Sequence, residues 1–407
     1  MQRMRILIVT RNLPPLVGGM ERLNWHMAEQ LSKAAEVRVV GPAGAAAWAP
    51  PGVAVREAPL QPLWKFLLHA RKLARLEARR WGPEIVLAGS GLAAPIARSA
   101  ARVCGAKTCV YVHGLDVAVR HAVYRACWLP AIRRADRVIA NSNTTAALCR
   151  DIGVDPARVG VVHPGVDLPD APPLFDERGQ GEGADSRGGP TAVEIPARHH
   201  QPRTAEPRTE FRERHSLADR PLLLSVGRLS ARKGLREFVG DALPRIVAVW
   251  PKVLLIIVGD APVHALYAKA QTQDSIRAVA KSAGVADHIR FLGTISERDL
   301  DAAYAAANVH VFPVREMPGD PEGFGMVAVE AAAHGVPTVA YAVGGVVDAV
   351  ENGTSGRLVR AGDPGAFALA VIELLRQPPE RSRVREFAER FAWPRFRDKL
   401  CAELERA

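Results

Sequence analysis

Two glutamates, Glu322 and Glu330, flank a segment that begins as a glycine-containing turn and continues as an alanine-rich, helix-forming stretch. A helix that begins between them has unpaired backbone N–H groups in its first turn, which bind anions and hydroxyl groups. A carboxylate before the turn can accept a hydrogen bond from a hydroxyl group. A second carboxylate further along the helix can accept two hydrogen bonds from a vicinal diol, since each carboxylate has two oxygens. A purely structural role, in which a negative charge complements the positive N-terminus of the helix dipole, would explain the presence of Glu322 but not that of Glu330. The pair therefore indicates a site for a ligand with several hydroxyl groups.

A second group of charged residues lies in the segment Ser225–Gly234, SVGRLSARKG, at the end of an apolar run of strand length. Arg228 and Lys233 would lie at the carboxyl edge of a sheet, where open α/β sheets bind their ligands. Arginine offers a planar fork of donors, lysine offers a point charge, and Gly227 allows close approach, so the segment suits a diphosphate. A surface turn with solvated charges is the alternative interpretation.

Both segments need parallel strands to position them, and apolar runs of strand length recur along the chain between helical stretches. They cover residues 4–10, 36–40, 84–88, 107–113, 137–141, 221–226, 253–259, 289–292, 309–313 and 338–342. This alternation predicts the α/β class, with two doubly wound, Rossmann-like domains that face each other across a ligand cleft.

The domain boundaries follow from the same pattern. The predicted domains are residues 1–169 and 209–385. Residues 170–208 are rich in Pro, Gly and charged residues without periodicity, which predicts a flexible linker. Residues 386–407 are predicted to form a helix that packs back on the first domain.

Further motifs occur in the order found in one enzyme family. They are Gly18–Glu21, His113–Asp116, Ile139–Ser142, Val162–Asp167, Phe291–Thr294 and Val343–Leu358. With the two glutamates and the SVGRLSARKG segment, they resemble the family-4 retaining glycosyltransferases of the GT-B fold, over nearly the whole chain apart from residues 170–208. The resemblance implies a hexosyltransferase that binds a nucleotide-sugar donor between its domains, binds the acceptor on the first domain, and transfers the sugar with retention.

The resemblance also implies roles for the matching residues. Arg228 and Lys233 would neutralise the donor diphosphate as it leaves, and Glu330 would bind the ribose. Glu322 would orient the sugar, and His113 would lie beside the reaction centre. The other donor-binding positions would be Gly19, Gly227, Gly323, Phe324, Gly325, Met326 and Val327.

Asp116 and Asn141 are the acceptor-side candidates, although Asp116 could equally cap a helix that starts at Val117.

The acidic loop that begins at Met317 resembles that of mannosyltransferases, which favours GDP-mannose as the donor over UDP-sugars. The acceptor is expected to be a glycan or a lipid-linked sugar in the synthesis of a cell-envelope polysaccharide, lipopolysaccharide, exopolysaccharide or glycolipid.

Two cations can replace a metal ion at the diphosphate, and the five cysteines lack metal-ligand spacing, so neither a metal ion nor another cofactor is expected.

The net charge of +11 comes from the first 170 residues, which hold 23 Lys and Arg against 12 Asp and Glu. Such a basic half suits nucleic acid, an anionic lipid or a phosphorylated acceptor. A nucleic-acid-binding protein without transferase activity is the rival class. It would not require the Glu322–Glu330 pair, so a nucleic-acid partner is not expected.

Residues 62–81 predict a basic amphipathic helix. Its apolar face would consist of Leu63, Phe66, Leu67, Leu73 and Leu76. Such a helix can lie on an anionic bilayer or pack on the sheet of the first domain, and the two interpretations are compatible. No secretory leader and no membrane-spanning run is recognised. The expected location is therefore the cytoplasm, or a peripheral position on the inner face of the cytoplasmic membrane.

Overall fold

The computed structural model describes residues 3–169, 208–261 and 271–407. The predicted linker, residues 170–208, lies outside these ranges except for Arg208. That residue begins the helix Arg208–Arg214, which packs on the second domain through Phe211. Arg208 therefore belongs to the second domain rather than to the linker.

The first domain is built on a seven-stranded parallel sheet. Its strands are β1 Arg5–Val9, β2 Glu36–Pro42, β3 Ala54–Ala58, β4 Ile85–Ala88, β5 Lys107–Val112, β6 Arg137–Ala140 and β7 Val159–Val161. They lie in the order β3-β2-β1-β4-β5-β6-β7, so the strand order reverses between β1 and β4. Such a reversal opens a crevice at the carboxyl edge of the sheet.

Helices cover both faces of this sheet. They are α1 Gly19–Ser32, α2 Leu63–Trp81, α3 Ala94–Cys104, α4 Leu115–Ala118, α5 Ala122–Cys127, α6 Leu129–Arg133 and α7 Asn143–Asp151. Ile6 and Ile8 of β1 pack with the α1 layer, whereas Leu7 and Val9 pack with the α2 and α3 layer. Because both faces are covered, the strands are continuous apolar runs rather than alternating ones.

The second domain repeats this plan with six parallel strands in the order β10-β9-β8-β11-β12-β13. The strands are β8 Leu222–Val226, β9 Leu254–Val258, β10 Ile289–Gly293, β11 Val309–Phe312, β12 Thr338–Tyr341 and β13 Gly356–Val359. The helices are α8 Arg208–Arg214, α9 Leu235–Glu237, α10 Leu243–Val249, α11 Gln273–Ser282, α12 Glu297–Ala306, α13 Met326–Ala333, α14 Val346–Ala349, α15 Pro364–Arg376 and α16 Arg381–Glu389. A π-helical turn, Phe238–Ala242, joins α9 to α10.

The predicted architecture of two doubly wound α/β domains is confirmed, and each predicted strand is present. Three strands were not predicted, namely β3, β7 and β13. All three lie at the edge of a sheet, where one side of the strand has no neighbour and less apolar surface is needed. Their sequences, AVREA, VGV and GRLV, therefore lack the continuous apolar character of the central strands.

Helix α2 packs on the first sheet and on α3, as one of the two interpretations of residues 62–81 requires. The buried stripe of the helix consists of Phe66, Ala70, Ala74 and Ala78. Leu67 and Leu73 are half-buried, whereas Leu76 is exposed, so the predicted leucine face is wrong at Leu76. Small alanines form the contact instead, because they let two helices approach closely. No helix within the described ranges is both long and apolar enough to cross a bilayer.

The C-terminal segment contacts both domains in turn. Helix α16 packs on α13, and Phe391 still belongs to the core of the second domain. The last helix, α17 Trp393–Glu405, lies against α1, with Phe396 and Leu400 in the core of the first domain. The return to the first domain therefore begins at Trp393 rather than at residue 386, because apolar residues of α16 anchor that helix to the second domain.

Candidate active site

The start of α13 is defined by the glycine-rich loop that precedes it. Gly325 has a φ of 95°, a left-handed conformation that residues with a side chain rarely adopt. A Cβ at this position would lie 2.9 Å from the ring of Phe312 on β11. A Cβ on Gly19, in the first domain, would lie 3.8 Å from the Met326 sulfur. Helices α1 and α13 therefore begin opposite each other across the cleft.

Glu330 lies on α13 at the boundary between the domains. Its Oε1 pairs with the guanidinium of Arg22 on α1, in the first domain. Its Oε2 accepts from the hydroxyl of Tyr304 on α12 at 3.1 Å. Both oxygens of Glu330 are therefore engaged, and a diol that binds Glu330 has to share the carboxylate with Arg22 and Tyr304 or replace one of them.

Arg22 and Tyr304 were not predicted as site residues. Burial lowers the pKa of Arg22, but the carboxylates of Glu330 and Asp167 outweigh that effect and raise it above its ordinary value. Burial, and after it the charge of Glu330, raises the pKa of Tyr304 well above its ordinary value. The position of Arg22, directly after the Gly18–Glu21 motif, was a usable signal for it, whereas nothing in the sequence links Tyr304 to Glu330.

Glu322 is the centre of a buried charge cluster. Its Oε2 accepts from Lys233 Nζ at 2.9 Å and also pairs with Arg232, which the sequence had not indicated as a site residue. Burial alone would raise the pKa of Glu322, but the charges of Arg232 and Lys233 hold it at about 2. The residues predicted to orient the sugar and to bind the diphosphate are thus in direct contact.

Lys233 and Arg228 line one recess at the carboxyl end of β8, together with Gly227 and Phe312. The Lys233 ammonium lies 4.6 Å from the centre of the Phe312 ring. Burial lowers the pKa of Lys233, and the carboxylate of Glu322 offsets part of that effect. Arg228 is exposed, and its guanidinium forms no hydrogen bond or ion pair with the part of the chain that the structure describes. An anion bound at this edge of the sheet would meet one half-buried and one exposed cation.

His113 follows β5 and is buried. Its Nε2 donates to the carbonyl oxygen of Gly89 at 2.8 Å, since a carbonyl oxygen can only accept. Its backbone N–H donates to Asp116 Oδ2 at 3.0 Å. Asp116 lies inside α4, whose N-cap residue is Gly114, so the interpretation of Asp116 as the cap of a helix starting at Val117 is wrong. The carboxylate instead holds the turn after β5.

One contact between loops brings the donor-side and acceptor-side candidates together. A Cβ on Gly323 would lie 2.3 Å from the carbonyl oxygen of His113 and 2.8 Å from Asn141 Nδ2. Asn141 is buried, and its Oδ1 has no hydrogen-bond partner among the residues described. Gly323 is therefore needed as a glycine for the two domains to meet at this point.

Phe324 and Val327 contribute to packing around the start of α13. Phe324 is buried and stacks on His163 of the first domain, with ring centres 5.3 Å apart. The carbonyl oxygen of Val327 accepts from the Tyr304 hydroxyl at 3.3 Å. The side chain of Phe324 thus packs in the interface between the two domains.

Asp348, on α14, ties the domains together beside the site. Its carboxylate accepts from the backbone N–H of Asn143 at 2.6 Å and from the Asn143 side-chain amide at 3.1 Å. His163 Nε2 lies 3.4 Å from the same carboxylate. Burial alone would raise the pKa of Asp348, but the nearby His163 and the hydrogen bonds from Asn143 lower it. The Val162–Asp167 and Val343–Leu358 motifs therefore join the domains.

Possible metal ligands do not converge in this site. Within residues 3–169, 208–261 and 271–407, no three His, Cys, Asp or Glu side chains are grouped so as to hold a metal ion. Two acidic residues near the predicted diphosphate position, Glu322 and Asp320, are instead paired with Arg232.

Two family models match the chain. The model described as glycosyltransferase family 4 matches residues 17–169, and the model described as glycosyl transferases group 1 matches residues 207–391. Together they cover most of the chain, and each corresponds to one of the two domains.

Curated relatives carry related names. The chain is 32% identical over 267 residues to D-inositol 3-phosphate glycosyltransferase 2 of Catenulispora acidiphila, in an alignment that covers 64% of this chain and 53% of the relative. It is 36% identical over 173 residues to the GDP-mannose-dependent alpha-(1-6)-phosphatidylinositol monomannoside mannosyltransferase of Mycolicibacterium smegmatis, over 42% of this chain and 43% of that protein. The chain spans about half the length of the curated relatives it matches.

Solved structures support the same fold. The structure of HepE from Anabaena in complex with UDP superposes with a TM-score of 0.74 at 20% identity, covering 99% of this chain and 100% of HepE. At that identity the likeness establishes the fold. Together with the two family models, it shows that the chain belongs to the glycosyltransferases of the GT-B fold, with a family-4 first domain and a group-1 second domain.

Proposed function

We propose that this protein is an enzyme that transfers a sugar, with retention, from a nucleotide-sugar donor to a glycan or lipid-linked acceptor. The observation that carries the proposal is the cluster at the edge of the second sheet. Glu322 contacts Lys233 there, and the helix that follows pairs Glu330 with Arg22 and places Met326 beside Gly19 of the first domain. Carboxylates, which accept from hydroxyl groups, and cations, which bind phosphates, thus occur together where the two domains meet.

In the proposed reaction, the protein acts mainly on the leaving group. Lys233 and Arg228 neutralise the nucleoside diphosphate as the bond between the anomeric carbon and the phosphate oxygen breaks. Cationic groups beside the phosphates stabilise the developing anion, and loss of one such group typically lowers the rate about 100-fold to 1,000-fold. This role does not require a metal ion.

Retention follows if the acceptor hydroxyl attacks from the face that the diphosphate leaves. The new carbon–oxygen bond then forms on that face, and the acceptor proton passes to the departing phosphate oxygen. His113 Nε2 donates to the carbonyl oxygen of Gly89, so this nitrogen does not accept the acceptor proton, and the route needs no base from the protein. The role of His113 is to line the reaction centre, with its carbonyl oxygen against Gly323.

GDP-mannose is the favoured donor. The relative from M. smegmatis is named as GDP-mannose-dependent, and the acidic loop from Met317 to Glu322 resembles that of mannosyltransferases. Asp320 of this loop lies 3.3 Å from Arg232 Nε, so the loop is held on the diphosphate side of the cluster. A UDP-sugar is the alternative donor.

A lipid-linked acceptor at a membrane surface is supported by the outer face of α2. Trp64 and Leu68, one helical turn apart, are 58% and 59% exposed. The same helix carries basic residues at Lys65, Arg71, Lys72, Arg75 and Arg79. Exposed apolar side chains within a basic helix favour adsorption to an anionic bilayer. We therefore propose a peripheral position on the inner face of the cytoplasmic membrane and a role in cell-envelope glycan or glycolipid synthesis.

The test is thermal unfolding with GDP, GDP-mannose, UDP and UDP-glucose, in EDTA. A ligand that binds only the folded protein raises its melting temperature with concentration. We expect GDP and GDP-mannose to raise it and the uridine nucleotides to have a smaller effect. If the uridine nucleotides raise it more, the donor is a UDP-sugar. If no nucleotide raises it and no sugar is transferred to lipid extracts, the proposed function is wrong.

A further inference from the structure

Arg232, the residue before Lys233, contacts the same carboxylate oxygen as Lys233. Both approach Oε2 of Glu322, Lys233 at 2.9 Å. Arg232 Nε also lies 3.3 Å from Asp320 Oδ1, and the arginine side chain is only 14% exposed. Arg232 is therefore attached to two acidic residues of the loop before α13, whereas Lys233 pairs with one of them.

The proposed diphosphate contact requires Lys233 to leave Glu322 at least in part. Removing one partner from a buried ion pair leaves an uncompensated charge, which is strongly unfavourable. Glu322 has a second cation on the same oxygen. When Lys233 turns to the phosphates, Arg232 still neutralises the carboxylate, so the ammonium can move without leaving an unpaired buried anion.

We propose that Arg232 is a positioning residue that holds Glu322 and thereby makes Lys233 available to the diphosphate of the donor. This inference rests on the proposed function, in which Lys233 binds that diphosphate. Arg232 acts through Glu322 and does not itself contact the nucleotide. Oε1 of Glu322 forms no hydrogen bond with any residue that the structure describes, so it stays available for a sugar hydroxyl while Arg232 holds Oε2.

A double-mutant cycle with nucleoside diphosphates tests this role. GDP and UDP are titrated by isothermal calorimetry in EDTA, and the absence of a sugar removes any contact between Glu322 and the sugar from the measurement. Arg232→Met should weaken binding about tenfold, because Lys233 is then the main cation that neutralises Glu322. In the Glu322→Gln background, the same substitution should change affinity less than about twofold, since the neutral amide does not retain Lys233.

Two control variants separate charge from folding. Arg232→Lys keeps a cation beside Glu322 and should recover most of the lost affinity. Arg236→Met removes an exposed arginine from the same segment and should leave affinity unchanged. If Arg232→Met does not fold, Arg232→Gln, which is polar but removes the charge beside Glu322, takes its place in both backgrounds, and only in the wild-type background should it lower affinity.

An equal loss of affinity in both backgrounds would overturn the inference, since Arg232 would then contact the nucleotide directly. Failure of the proposed function gives a different pattern. In that case neither GDP nor UDP binds the wild-type protein, or Lys233→Ala binds as tightly as wild type. Either of these two results would contradict both proposals. An equal loss of affinity in both backgrounds would contradict only the proposed role of Arg232.

Discussion

The two site glutamates differ in the partners that hold them. Glu322 pairs with cations of its own domain, Arg232 and Lys233. Glu330 shares its oxygens between Tyr304 of its own domain and Arg22 of the other. Changes at Glu322 therefore act on the charge balance of the diphosphate recess, whereas changes at Glu330 act on the interface between domains as well.

Glu330→Gln should lower sugar transfer roughly 10-fold to 100-fold, because a neutral amide binds a ribose diol less strongly than a carboxylate does. The amide keeps the volume and still accepts from Tyr304, so the melting temperature should change by only a few degrees. Transfer rates and thermal unfolding measure both effects. Glu386→Gln, at an exposed position of α16, is the matched control, and turnover of Glu330→Gln at the wild-type rate would exclude the ribose role.

The depressed pKa of Glu322 predicts a pH-dependent contribution to stability. A carboxyl whose folded-state pKa is about 2, against an ordinary 4.5, stabilises the fold above pH 4.5 and loses that contribution as the pH falls towards 2. The shift corresponds to about 3 kcal/mol. The free energy of unfolding of the wild type should therefore be higher than that of Glu322→Gln, and this difference should be largest near neutral pH. Urea unfolding between pH 7 and pH 3 measures this, and a difference that grows as the pH falls would contradict it.

At the scale of elements, helices α13 and α2 each have two faces with separate tasks. Helix α13 packs on the sheet and on α16 with one face, and its other face carries Glu330 towards the first domain. Helix α2 buries an alanine stripe against the first domain and leaves Trp64 and Leu68 on its outer face. The inner face of α2 therefore determines stability, and its outer face is free to meet a partner.

Trp64→Ser combined with Leu68→Ser should weaken binding to vesicles that contain anionic phospholipid, without lowering the melting temperature. The two side chains are mostly exposed and contribute little to the core. Vesicle co-sedimentation measures the effect. Leu369→Ser, at a position of α15 that is 56% exposed, is the control in the second domain, and vesicle binding unaffected by the double substitution would argue against adsorption through α2.

Phe66→Ala tests the inner face of the same helix. Phe66 is fully buried, and removing a buried phenylalanine ring typically lowers the free energy of unfolding by about 3 to 5 kcal/mol. Chemical denaturation of this variant should show such a loss, together with unchanged vesicle binding per folded molecule. A loss below about 1 kcal/mol would mean that α2 is held less firmly than its burial indicates.

At the scale of the whole molecule, the domains meet at several points around the cleft. Arg22 pairs with Glu330, Asp348 accepts from Asn143, and Gly323 lies against His113. Because the proposed ribose site and the interface share Glu330, donor binding and the contact between domains compete for one carboxylate. Such coupling is reciprocal, so loosening the contact should strengthen binding of the nucleotide.

Arg22→Met should therefore raise the affinity for the nucleoside diphosphate about fivefold, as expected for a coupling near the lower end of the usual range. Calorimetric titration measures the affinity, and small-angle scattering should report a larger mean radius because one contact between domains is lost. Arg158→Met, an exposed position of the first domain, is the control. Weaker nucleotide binding by Arg22→Met would instead make Arg22 a ligand of the donor.

The sequence by itself determined the class of fold and most of the candidate site. Central strands of a doubly wound sheet are buried on both faces, so they appear as continuous apolar runs, and the loops that follow β8 and β11 necessarily reach one edge. Glu322, Glu330, Arg228 and Lys233 were found in this way, because their function depends on position relative to a strand or a helix start, which is a local property.

Only the tertiary structure decided how these residues are paired. Arg22 and Glu330 are 308 positions apart, and Arg232 reaches Glu322 from another loop, so no local periodicity records either contact. Tertiary neighbours also decided three other features. These are the alanine stripe of α2, the edge strands and the point at which α17 returns to the first domain. Hydrophobic patterning encodes which residues are buried, but it does not encode the neighbour that buries them.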